Sequence, residues 1–296
     1  MTTMTDELRL LDKGRHDIPL ITLTDVEGFR SAFETYGFGV LHQEDEILDA
    51  GPLRAAAYEF FRSATEYKEE YSSGGTYGPP GWAGKGLESV KRSLDDSDST
   101  FEPDAVESFV YRGVSPTVPD ILKDPLATYF AQATALLKRV MQATALSQGL
   151  DVDFFEPYFL PPSCTIRLGY YPAGNAPKYG PHTDYTGFTL LNAEKSGLQV
   201  WYDNQWVDVP CVADRLVVNA GDLLPIWTNG RFRSALHQVV ATEETATADR
   251  LSIVFFTGPS DDALVEPIVL DGETPSYEAV ISGEHLRSKL ASTNRQ

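Results

Sequence analysis

Hydrophobic residues recur along this chain with two different periods. Before about residue 150 the spacing is helical. Thr24-Asp25-Val26-Glu27 reads as a capping box, and Phe29, Phe33 and Tyr36 follow on one face until Gly37 breaks the pattern. The stretch PLRAAAYEFFRSATEYKEEY predicts a second helix. A third is expected with Asp124 as N-cap and Pro125 at its first position, carrying a stripe of Leu126, Phe130, Ala133, Leu137 and Val140 and ending near Gly149. Between the second and third helices, residues 72–118 are rich in Gly, Pro and Ser, which fits either a lid or a long surface connection.

From about residue 163 the period shortens to that of strands. CTIRLGYY, GFTLLN, GLQVWY, QWVDV, RLVVNA, LLPIWT, RFRSALHQVVA and RLSIVFF follow one another with short connections. Asp203-Asn204 and Asn229-Gly230 stand between such runs and predict two-residue hairpins. Short strands with tight turns predict a jelly roll or barrel, and no strand–helix alternation suggests a doubly wound sheet. The fold class expected is therefore α+β and mainly β: a double-stranded β-helix core with an N-terminal helical region and flanking helices. The expected organisation is an N-terminal region over 1–118 and a helix plus jelly-roll catalytic core over 119–296, forming one compact unit.

With 296 residues, 42% of them hydrophobic, the chain can bury a large core. Its formal charge of −19 opposes a nucleic-acid partner, because phosphates call for cationic surfaces. Cys164 and Cys211 make neither a disulfide framework nor a cysteine-rich zinc site. The N-terminal residues lack an apolar core, and no segment approaches 18 uninterrupted apolar residues, so no membrane partner and a cytoplasmic location are expected.

Candidate chemistry begins in YGPHTDYTGFTLL. His182 and Asp184 are two apart, which in a strand puts both side chains on one face. The remaining histidines are His16, His42, His237 and His285. Of these, His237 lies within the strand-rich half and is the expected third ligand. Two imidazoles and a carboxylate on one side of a metal leave positions open, as in non-haem iron(II) oxygenases. An H-x-D pair also serves zinc hydrolases, or meets in a surface turn. Further on, Arg250 and Ser252 share a face of RLSIVFF, and their fork and hydroxyl suit the distal carboxylate of a dicarboxylic cosubstrate.

Across nearly its whole length the chain resembles the isopenicillin N synthase-like iron(II)/2-oxoglutarate-dependent dioxygenases. DIPLITL, YGFGVLHQ, AYEFFRSATEYKEEY and DAVESFVYRG resemble that family's N-terminal region. RLGYYP, HTDYTGFTLL, GLQVWYDNQWVDV, LVVNAGDLLPIWTNGRFRSALHQVV and RLSIVFF follow in the family's order. The resemblance implies His182, Asp184 and His237 as iron ligands, Arg250 and Ser252 as the cosubstrate clamp, and Tyr171 as a further cosubstrate contact. Gly169 stands where the family usually has Asn, and Gln238 where it commonly has Arg. The implied cofactors are Fe(II), 2-oxoglutarate and O₂, with succinate and CO₂ released as a C–H bond of a small molecule is hydroxylated. Desaturation and oxidative ring closure are alternative outcomes; halogenation is disfavoured because Asp184 occupies the halide position. Some relatives, isopenicillin N synthase and the plant ACC oxidases among them, keep R-x-S yet use no 2-oxoglutarate, and a non-catalytic binding member is a third reading. Candidate substrate contacts are Arg167, Tyr170, Tyr185, Phe188 and Trp82, around an amino-acid-derived or other secondary metabolite. Oligomeric state is not readable from the residues.

Overall fold

The structure, a computed structural model, describes residues 18–42, 48–74, 79–86, 104–113, 117–174, 179–211 and 215–293. In chain order the strands are β1 (Leu20–Ile21), β2 (Phe38–Leu41), β3 (Gly81–Ala83), β4 (Glu107–Tyr111), β5 (Thr165–Tyr171), β6 (Tyr179–His182) and β7 (Phe188–Ala193), then β8 (Leu198–Tyr202), β9 (Gln205–Asp208), β10 (Leu216–Ala220), β11 (His237–Val239), β12 (Arg250–Phe256), β13 (Leu264–Val265) and β14 (Val280–Ile281). The helices are α1 (Val26–Thr35), α2 (Gly51–Arg62), α3 (Thr65–Glu69), α4 (Asp120–Ser147), α5 (Leu223–Trp227), α6 (Glu243–Thr247) and α7 (Ser282–Thr293).

One sheet runs β1-β2-β10-β7-β12-β5-β4-β3 and a smaller one β6-β11-β8-β9. The two face each other as a jelly roll, and strands from before and after residue 118 share the large sheet. Side-chain alternation divides that sheet cleanly. Ile166, Leu168 and Tyr170 of β5, with Leu251, Ile253 and Phe255 of β12, face outward into a core shared with α1, α2 and α4. Tyr171, Leu191 and Val217 face inward, against Leu198, Val200 and Val239 of the small sheet. Helices therefore cover one face of the large sheet and leave the other to line a cavity.

Several local expectations shift. Asp25, not Thr24, caps α1: its carboxylate accepts from the Gly28 amide at 3.0 Å, while Thr22 accepts from Asp25. The second predicted helix divides at Ser63-Ala64, where the Ser63 hydroxyl donates to the Phe60 carbonyl at 2.7 Å. α4 begins at Asp120 rather than beyond Asp124, so Pro125 lies inside it and forgoes one ladder bond. LLPIWT is the helix α5, not a strand; Leu223, Leu224, Ile226 and Trp227 are all buried, and a short apolar run buried on every side carries no readable period. Asn229 and Gly230 do have positive φ, but they follow a helix rather than close a hairpin. Asp203 and Asn204, at φ 48° and 60°, do turn β8 into β9. Within 72–118, the described residues include β4, paired with β5, and β3, paired with β4; residues 87–103, which bear on the lid reading, lie outside the described residues, as does His16. Among the described residues no helix is long and apolar enough to cross a membrane.

The helix–sheet contact is aromatic. Phe33 packs 4.7 Å from Phe29, 5.1 Å from Phe188 and 5.4 Å from Phe232, centroid to centroid. Phe33→Ala is expected to cost about 3–5 kcal/mol, read as a lower denaturant midpoint at unchanged slope; an unmoved midpoint would show that this cluster does not anchor α1.

Candidate metal centre and cosubstrate cavity

Two cross-strand pairs, one from each sheet, build the site. In the small sheet His237 lies directly opposite His182. In the large sheet Asn219 lies directly opposite Thr189. Asp184 sits between them, just past the end of β6, so its approach to His182 comes from a turn and not from the strand parity expected of H-x-D. The turn is fixed by the Asp222 amide, which donates to the Asp184 carbonyl at 2.8 Å.

The three residues each turn one ligand atom to a common point, all within 4.8 Å of one another, and all three are buried. Asp184 Oδ1 lies 3.8 Å from His182 Nε2 and 3.7 Å from His237 Nε2. Its other oxygen, Oδ2, accepts from Thr189 Oγ1 at 2.5 Å and Asn219 Nδ2 at 2.6 Å. Each histidine places Nδ1 against a carbonyl, Gly180 at 2.8 Å for His182 and Ala235 at 3.0 Å for His237. An Nδ1–H donating there leaves the Nε2 lone pair for a cation. Burial, reinforced by the neighbouring His237, pushes His182 down to about 3, which keeps the ring neutral. Burial raises the Asp184 carboxyl, but the two imidazoles and the Thr189 and Asn219 hydrogen bonds outweigh it, and the net shift is downward. Two imidazole nitrogens and one carboxylate oxygen left open suit a divalent first-row transition metal.

The cavity behind this point, about 450 Å³ counting its open mouth, is lined by the three residues together with Tyr171, Arg250 and Ser252. Arg250 and Ser252 stand on successive inward positions of β12, opposite Tyr171 and Gly169 of β5. The Arg250 guanidinium carbon lies 5.1 Å over the Tyr171 ring. Its Nε donates to the Lys195 carbonyl at 3.3 Å, while both terminal nitrogens are buried without a hydrogen-bond partner. A buried guanidinium in that state is costly unless an anion meets it, and the two terminal nitrogens offer a bidentate fork.

The suggested substrate contacts divide. Arg167 lines both this cavity and a second, outer one, and Tyr185 lines the outer one. Tyr170 lies on the outward face of β5, stacked at 5.1 Å on Phe61 and donating to Asp249 at 2.8 Å. Phe188 is spent in the aromatic cluster under α1. Trp82 packs in the outer core and donates to Glu107, which also holds the ammonium of Lys68 at 2.7 Å. None of these three lines either cavity. Thr189 and Asn219 went unnoticed in the sequence; their signal is a polar residue at an inward position of an otherwise apolar strand, as in LVVNA.

A jelly roll that turns two imidazoles and a carboxylate toward one side of a cavity defines the class of non-haem iron oxygenases. Residues 162–259 match the 2OG-Fe(II) oxygenase superfamily. The chain is 37% identical over 54% of its length to gibberellin 20 oxidase 4 of Arabidopsis thaliana, of which it spans 44%. With the coumaroyl CoA and feruloyl CoA ortho-hydroxylase Diox4 of Ruta graveolens it shares 29% identity over 94% of this chain and 77% of that one. The crystal structure of a full-length Neurospora crassa protein in complex with alpha-KG superposes with a TM-score of 0.82 at 29% identity, covering 95% of this chain and 98% of that one. Over the core that carries the site, and more distantly over most of its length, the chain is thus similar to 2OG-Fe(II) oxygenases.

Asn219→Ala removes one of the two donors that orient Asp184. The Fe(II) dissociation constant is expected to rise about 10–100-fold, measured by competition with a colorimetric chelator. An unchanged constant would mean that Thr189 alone suffices.

Proposed function

We propose that this chain uses Fe(II), 2-oxoglutarate and O₂ to oxidise a C–H bond of a small molecule, with hydroxylation as the outcome. In this reading His182, Asp184 and His237 hold the iron, while Arg250, Ser252 and Tyr171 hold the far carboxylate of 2-oxoglutarate. The observation that carries it is the pair of partnerless Arg250 nitrogens, buried in the cavity that the three donors also line. A monovalent halide or a water would leave that fork half-satisfied, whereas a carboxylate accepts both bonds at once.

Bound there, iron with 2-oxoglutarate and O₂ supplies the oxidising power that removes hydrogen from carbon, with release of succinate and CO₂. The protein's own work is positional. Thr189 and Asn219 fix Asp184 so that Oδ1 alone faces the metal position. The carbonyls of Gly180 and Ala235 fix which imidazole nitrogen is presented. Ser252, whose hydroxyl lies 3.4 Å from the Gly169 carbonyl, brings a neutral donor beside the guanidinium. Leu191, Leu198, Val239 and Val254 wall the cavity with hydrocarbon and exclude bulk water from the reacting atoms.

Two titrations test this. Added anaerobically to the metal-free protein, Fe(II) followed by 2-oxoglutarate should produce a weak visible charge-transfer band that requires both. Arg250→Ala should bind Fe(II) as before yet need at least about tenfold more 2-oxoglutarate, since a hydrogen bond to a charged group is lost. Fe(II) binding with no band at any 2-oxoglutarate concentration would overturn the cosubstrate assignment. Asp184→Ala should lose both Fe(II) binding and succinate release while its unfolding remains cooperative; normal turnover would overturn the metal assignment.

A further inference from the structure

Resting on that oxygenase reading, we propose that the substrate is a small organic acid whose anionic group is taken by Arg167. Its apolar body then lies against Val110, Tyr185, Phe256, Leu286 and Leu290. An outer cavity of about 730 Å³, counting its open mouth, adjoins the metal centre and is lined by these residues together with His182 and Asp184. Its cationic side chains among the described residues are Arg112, exposed at the mouth, and Arg167, buried at 3% exposure.

The three cavity arginines are ordered in depth. Arg112 lines only the outer cavity, Arg250 only the inner one, and Arg167 both. In that reading Arg250 serves the cosubstrate, and Arg167 is the guanidinium that lines the junction of the two cavities. Two features hold Arg167 there. Its guanidinium carbon lies 4.8 Å over the Tyr179 ring, whose edge in turn packs at 4.9 Å against His182. Its Nη1 lies 3.0 Å from where a Cβ on residue 169 would stand, so glycine at 169 leaves the room that an Asn would occupy.

Charge gives a second argument. On a chain of −19 an anionic substrate is repelled at long range, and local cations must offset that along its path. Arg112 at the mouth and Arg167 at the junction are the cationic groups that line such a path, each with interactions of its own. A cationic substrate would meet, among the described residues of the wall, only the carboxylate of Asp184, already claimed as a metal ligand. The rest of the wall is largely aliphatic or aromatic, with α7 supplying Leu286 and Leu290. A compact hydrophobic acid matches both halves of this lining.

The probes are phenylacetate, cyclohexylacetate, 4-phenylbutanoate and N-acetylphenylalanine, each paired with its primary amide. Binding is measured anaerobically by calorimetry on protein loaded with Fe(II) and 2-oxoglutarate. At least one acid should bind about tenfold or more tightly than its amide. Arg167→Gln should bring acid and amide to parity, and Arg167→Lys should restore part of the difference, since it keeps the charge without the fork. A purely structural Arg167 would change stability without changing that discrimination. Amides binding as well as acids, an acid preference that survives Arg167→Gln, or no binding by any acid would each overturn the proposal. The charge-transfer band of the loaded wild-type protein is recorded before any probe is added, so its absence would sink the oxygenase reading itself and is distinguishable from failure of the acid assignment.

Discussion

The Asp184 carboxylate is held at 6% exposure between two imidazoles, and its burial sets conditions on everything around it. A carboxylate taken from water must be met by donors or by charge. One oxygen is met by a hydroxyl and an amide, from Thr189 and Asn219, which face each other across β7 and β10. The other is left to the histidines, which face each other across β6 and β11. For both pairs to converge, the two sheets must lie face to face in one register. A slip of one residue in β7 or β10 would turn Thr189 or Asn219 into the helix-facing core and leave the carboxylate half-satisfied.

The same parity explains how Arg250 comes to be buried at all. β12 alternates Arg250, Ser252, Val254 and Phe256 on the cavity side with Leu251, Ile253 and Phe255 on the helix side. The outward residues bind the strand to an aromatic and aliphatic core, and that packing holds the guanidinium away from solvent. Stability on one face of the sheet thus sustains a costly arrangement on the other.

Much of this was legible from residue order. R-x-S on a strand needs only a period of two, and the jelly roll followed from short strands and turn residues. Parity also separates Tyr171, which faces the cavity, from Tyr170, which faces the helices. Phe188 and Trp82 mark a limit of a different kind: an aromatic residue near a motif looks the same whether it faces the cavity or fills the core, and both fill the core. α5 was unreadable because residues buried on all sides carry no period. Asp184 lies beyond its strand, so its nearness to His182 depends on the Asp222 amide, a long-range contact that no local pattern encodes. Thr189 and Asn219 acquire their meaning only once β7 and β10 are paired.

β6 is an edge strand that contains Pro181, and its register with β11 rests on the pairs at His182 and Tyr179, with an irregularity between them. An ion shared by His182 and His237 would therefore act as a rivet through a sparsely paired margin of the small sheet. By mass action such a rivet favours the folded chain in proportion to the free metal around it. Metal supply would then bear on stability as well as on chemistry, because local opening starts where pairing is sparse.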